Sequence, residues 1–117
     1  MATGFKVDNA MVSITPDGKP LLTVMEAAKA KGKRIGLVTT ATVYDATPAA
    51  FSLHAKSRRD SQALVDQYLA LEPDVLMGGG ADYFLPASTP GGKRKDGKDV
   101  IVAFRAKGWQ VVRNTAE

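Results

Sequence analysis

Cysteine is absent from this chain of 117 residues, which excludes disulfides, thiolate metal centres and a cysteine nucleophile, and leaves the redox compartment unmarked. No apolar run approaches the roughly 18 residues of a membrane-spanning helix, and the opening MATGFKVDNA lacks the apolar core of a signal peptide. There is no internal repeat and no low-complexity linker. The triple glycine at 78–80 has neither the G-x-G-x-x-G spacing of a dinucleotide turn nor the G-K-[ST] ending of a P-loop. It is expected to mark a tight turn at a strand end. KRKDGK at 93–98 has no aromatic residues set among its charges, which favours a solvated loop over a nucleic-acid stacking surface.

What is present is ordinary globular composition, with 44% hydrophobic and 24% charged residues. The net charge of +4 favours anionic ligands in general. A chain of this length is expected to form one small α/β domain over residues 1–117, with a modest core.

The apolar pattern alternates between two periods. LLTVMEAAKAKG (21–32) places Leu21, Met25 and Ala28 on one helical face and closes on Gly32. RIGLVTT (34–40) is short and apolar on both faces, which predicts a strand buried from both sides. SQALVDQYLALE (61–72) spaces Val65, Tyr68 and Leu69 as a helix, with Ser61 as its expected N-cap and Pro73 as its stop. DVLMGGG (74–80) predicts a second strand, DVIVAFRAKG (99–108) a third helix with Val100 and Phe104 inward, and WQVVRN (109–114) a third strand. Residues 81–99, rich in proline, glycine and charge, are expected to form a long solvated loop. The order predicts βαβ crossovers and a three-layer α/β/α arrangement with a mainly parallel sheet.

Chemistry concentrates in VYDATPAAFSLHAKSR, residues 43–58, just past the first strand. Ligands of open parallel sheets sit at the carboxyl ends of strands. Asp45 and Thr47 offer hard oxygens of the kind magnesium takes. Arg58 offers a planar fork of donors suited to phosphate oxygens. Pro48 is placed to open a helix with Thr47 as N-cap, on which Phe51, His54 and Arg58 would share a face. Each residue also has a plainer use. A carboxylate or hydroxyl at a helix start is more often a cap than a ligand. Arg58 between Lys56 and Arg59 fits a solvated surface run, and His54 fits a packed structural histidine. Spacing alone gives a parallel α/β domain with an anion site left open.

The residues also carry a resemblance. KGKRIGLVTTATVYDATPAAFSLHAKSR resembles the alkaline phosphatase family, and DVLMGGGADYF, GWQVVRN and the upstream ATGFKVDNAMVSITPDGKPLLTVMEAAKAKGK continue it over nearly the whole chain. The resemblance implies that Arg58 grips two phosphate oxygens and steadies the transition state, that Thr47 is a magnesium ligand, and that Asp45 lies beside that magnesium as ligand or through the ligands' own partners. His54 is implied to be structural support. Family members use a serine nucleophile and two zinc ions. Ser13, Ser52, Ser57 and Ser61 do not stand in that serine's context, and one histidine cannot supply two zinc sites. The chain therefore resembles an internal segment following the catalytic serine of a phosphomonoester hydrolase, inactive alone, with phosphate or a phosphomonoester as partner. An exported or periplasmic setting follows from the family only. The alternatives are a non-catalytic phosphate-binding module and a scaffold that self-associates through exposed sheet edges. Neither nucleic acid nor a membrane is an expected partner.

Overall fold

A computed structural model describes residues 1–114 and 116. These fall into two compact units, Met1–Gly80 and Ala81–Glu117.

In the first unit, helix α1 (Val24–Ala30) is opened by a reciprocal cap. Glu26 N–H donates to Thr23 Oγ1 at 3.2 Å, and Thr23 N–H donates to Glu26 Oε2 at 2.8 Å, so two orphan donors are satisfied together. The helix starts three residues later than its apolar spacing predicts, because Thr23 and not Leu21 can supply that oxygen. Strand β1 (Gly36–Thr42) leads through α2 (Ala46–Ser52) and α3 (Ser61–Leu71) to strand β2 (Val75–Gly79). The strands pair in parallel, with Gly36 opposite Val75, Leu37 opposite Leu76 and Val38 opposite Met77, then an irregularity before Thr42 meets Gly79. The α/β class and the parallel pairing expected from the sequence are both present.

Glycine permits the close approach at the end of β2. A Cβ at Gly78 would lie 2.8 Å from Thr39 Cγ2 and 2.9 Å from Val43 Cγ1. At Gly80 the backbone turns with φ +97°, and a Cβ would meet the Tyr44 ring at 2.5 Å.

Several expectations are corrected. The sheet has two strands among the described residues, and Val38 and Met77 are 76% and 53% exposed. The apolar runs therefore do not report strands covered on both sides within this chain. Asp60, not Ser61, caps α3, its Oδ1 accepting from Ala63 N–H at 3.4 Å. The core is built instead on the inward faces of α2 and α3, where Ala49, Leu64, Val65 and Tyr68 are fully buried, together with Val12, Val43 and Leu53. Burying a side chain such as Leu64 stabilises the fold by roughly 1.5–3 kcal/mol.

The second unit begins with a 3₁₀ turn (Ala81–Tyr83) and carries α4 (Val100–Ala106), capped by Asp99. Residues 81–99 are largely exposed, as expected of a loop, but they are anchored by a buried charge. Arg94 is fully buried, and its guanidinium grips Asp96 with two bonds, Nε to Oδ1 at 3.0 Å and Nη2 to Oδ2 at 2.7 Å, while Nη1 donates to Tyr83 O at 3.2 Å. Arg94 reads as exposed in the sequence because nothing in the local KRKDGK pattern sets it apart from the neighbouring lysines. Residues 109–113 form no strand. Trp109 packs edge-on against Phe104, with ring centroids 4.9 Å apart, so the aromatic of the expected strand is committed to α4.

Candidate functional site

β1 ends at Thr42, and its exit is fixed from below. Val43 is buried, and its carbonyl accepts the Tyr68 hydroxyl from α3 at 2.7 Å. Burial pushes that phenol up to about 12, against a weaker opposing effect from Ser52, so it stays a donor over the whole physiological range. Two residues on, Asp45 caps α2: its Oδ1 accepts from Ala46 N–H at 2.8 Å. The carboxylate is thereby set just past the carboxyl end of the strand, with the side chain 45% exposed.

Arg58 arrives at the same place by another route. After α2 the chain runs extended, and Ala55 pairs antiparallel with Val12 through bonds of 2.8 and 2.9 Å. Arg58 N–H then donates to Ala10 O at 2.7 Å. The side chain turns back so that Nη2 donates to Asp45 Oδ1 at 2.8 Å. The two side chains are 49% and 45% exposed, so the guanidinium keeps donors free to face water or an anion.

Thr47 lies exposed in the first turn of α2, and no hydrogen bond joins it to Asp45 or Arg58. It is not the N-cap; Asp45 takes that role because its carboxylate reaches the first free N–H. His54 lies beyond the end of α2 at Ser52 and so shares no helix face with Arg58.

His54 is instead the centre of a clasp. Nδ1 faces Ser13 O at 2.9 Å and Nε2 faces Glu26 Oε1 at 2.7 Å, while Gln67 of α3 holds both backbone groups of the residue. Burial alone would raise the Glu26 carboxyl; the Thr23 backbone N–H and then His54 outweigh it and hold the group below its usual value. Sequence reasoning missed Glu26, although T-x-x-E at 23–26 is the pattern of a reciprocal cap.

The described residues contain no group of three or more His, Cys, Asp or Glu able to hold a metal. Asp45 and Thr47 offer hard oxygens of the kind magnesium takes, too few by themselves to complete its shell. With the imidazole of His54 committed to Glu26 and Ser13, nothing here fits zinc.

A model of the family described as alkaline phosphatase matches residues 1–117. This chain belongs to the alkaline phosphatase family. It is 40% identical to the repressible alkaline phosphatase of Saccharomyces cerevisiae, over 95% of the chain and 22% of that protein. It is 38% identical to the streptomycin-6-phosphate phosphatase of Streptomyces griseus, over 99% of the chain and 30% of that protein. The crystal structure of the Thermus thermophilus alkaline phosphatase superposes with a TM-score of 0.88 at 45% identity, over 96% of the chain and 23% of that structure. A variant of the TAB5 alkaline phosphatase solved with magnesium bound in its M3 site superposes at 0.79 with 30% identity. The chain thus spans about a quarter of the length of its alkaline phosphatase relatives.

Proposed function

We propose that this chain is the phosphate-gripping segment of a metal-dependent phosphomonoester hydrolase. The observation that carries the reading is the Arg58–Asp45 pair, 2.8 Å apart at the carboxyl end of β1 and half open to solvent. Arg58 holds two oxygens of the phosphoryl group and stabilises charge that builds there in the transition state. Asp45 orients that guanidinium and, with the Thr47 hydroxyl, borders a magnesium ion. Magnesium, when bound, supplies local positive charge beside the phosphate. His54 supports the backbone and takes no part in the chemistry. Without a placed serine nucleophile or zinc ligands, the chain alone does not turn substrate over. An exported setting for the parent enzyme rests on the family resemblance alone.

Two measurements test this. Inorganic phosphate titrated into the labelled chain is expected to shift the amide and guanidinium signals of Arg58, and Arg58→Ala is expected to remove those shifts. Hydrolysis of p-nitrophenyl phosphate at alkaline pH, with zinc and magnesium added, is expected to stay at the level of Arg58→Ala. Metal-dependent turnover that Arg58→Ala abolishes would contradict an inactive segment.

A second reading is favoured by the exposed cross-strand pair Val38 and Met77 and the open edges of a two-stranded sheet: the chain self-associates through that surface. Sedimentation showing a monomer across a wide concentration range excludes it.

A further inference from the structure

Arg58 is exposed and sits in a turn, yet its backbone N–H is tied to a distant segment of the chain. The hold comes from residues 10–14. Ala10 O accepts from Arg58 N–H at 2.7 Å, and Val12 exchanges two backbone bonds with Ala55. That strap is itself bent: Ala10 and Ser13 carry φ of 70° and 48°, a left-handed backbone that neither side chain prefers. Something must over-determine it. Ser13 Oγ donates to Ala50 O of α2 at 2.7 Å, and Ser13 O faces His54 Nδ1 at 2.9 Å. The imidazole then passes the connection to Glu26, whose other oxygen closes the cap of α1. One side chain therefore ties α1, the strap and the segment bearing Arg58.

We propose that His54 and Glu26 are positioning residues for Arg58, fixing the strap and segment 53–58 so that the guanidinium meets an anion beside Asp45. The inference rests on the reading of Arg58 as the phosphate clamp and extends it to residues that touch no ligand. The hydrogen-bond inventory sets what the clasp needs from the ring. A carbonyl and an ionised carboxylate are both acceptors, so the geometry is satisfied only when both ring nitrogens carry protons. Of the elements packed on the ring, α1 contributes Glu26, the strap contributes the Ser13 carbonyl and α3 contributes the neutral amide of Gln67. Loss of either ring proton sets a lone pair against an acceptor and loosens the strap.

The test uses the whole chain and sulfate, a tetrahedral dianion, at one fixed neutral pH. Glu26→Gln is the informative variant, because glutamine can keep the reciprocal cap with Thr23 through its one carbonyl oxygen while it sets an amide NH2 donor, in place of the carboxylate acceptor, against His54 Nε2. Wild type is expected to bind sulfate, and Arg58→Ala is expected to remove that binding. Glu26→Gln is expected to bind about tenfold more weakly than wild type at that pH, the scale of effect that a misplaced contact produces. The double variant with Arg58→Ala is expected to lose nothing beyond Arg58→Ala alone.

If Arg58→Ala abolishes binding while Glu26→Gln binds as wild type does, the positioning role is wrong and the clamp stands. If Arg58→Ala leaves sulfate binding intact, the clamp reading fails and takes this inference with it. Weaker binding by Glu26→Gln that persists undiminished in the Arg58→Ala background also overturns it. His54→Gln, whose amide can still donate to Ser13 O, is expected to match Glu26→Gln in direction.

Discussion

Arg58 Nη2 stands 2.8 Å from Asp45 Oδ1, and the same oxygen caps α2, so the proposed phosphate ligand is referenced to a helix end rather than to a flexible side chain. Asp45 thus has two jobs that substitutions can separate.

Asparagine caps as well as aspartate does but cannot form the ion pair. Asp45→Asn is therefore expected to reduce stability by no more than about 0.5 kcal/mol, as befits a half-exposed pair. Asp45→Ala is expected to lose about 1 kcal/mol through the missing cap. Urea denaturation of the two variants checks this; equal losses would mean that the ion pair, not the cap, dominates.

Tyr68→Phe leaves the buried Val43 carbonyl without its donor and is expected to destabilise the fold by roughly 1–3 kcal/mol. The raised phenol also gives a pH signature. A group whose pKa is raised in the folded state contributes stability that is complete below its unfolded value of 10.0 and is lost as the pH rises through about 12. Tyrosinate absorbance and circular dichroism should therefore change together over that window in wild type, and Tyr68→Phe should lack the coupled step.

Asp96 is held down to about 2, first by its hydrogen bonds from Arg94. A depressed carboxyl contributes stability above its unfolded value of 3.8 and loses it as the pH falls toward 2. Residues 81–99 should then unfold on acidification, read by their amide hydrogen exchange. Asp96→Asn is expected to produce the same loss at neutral pH, because it removes the carboxylate that the buried guanidinium of Arg94 grips through two bonds. Unchanged protection in that variant would show that Arg94 finds sufficient partners elsewhere.

Lys29 of α1 donates Nζ to the carbonyls of Leu71 and Glu72, the latter at 2.9 Å, at the end of α3. It satisfies two orphan acceptors and places a cation at the negative end of the helix. Lys29→Gln is expected to destabilise the chain by about 0.5–1 kcal/mol, less so at high salt. A loss independent of salt would assign the effect to hydrogen bonding alone.

The site was legible where chemistry is local. Aspartate, threonine and arginine after an apolar strand, with proline in the first turn of the next helix, supply residue types suited to an anion. The contact between Asp45 and Arg58 was not legible, because the helical spacing that joined His54 to Arg58 is broken at Ser52. What decides that break is the pairing of Ala55 with Val12, forty-three positions earlier in the chain (55 less 12), and no local pattern announces it. Glu26 was hidden for the same reason: its cap is a short-range pattern, but its bond to His54 spans a separation of 28.

The sequence by itself determined the α/β order, the parallel strand pair, the family and the residue types available for phosphate. These follow from side-chain period, turn chemistry and the motif around Asp45, all properties of neighbouring residues. The tertiary structure alone decided that Val38 and Met77 lie open, that Arg94 is buried, that residues 109–113 leave the sheet, and that the strap of residues 10–14 carries Arg58. Each depends on which distant surface covers a segment, and burial is a property of the partner as much as of the segment itself.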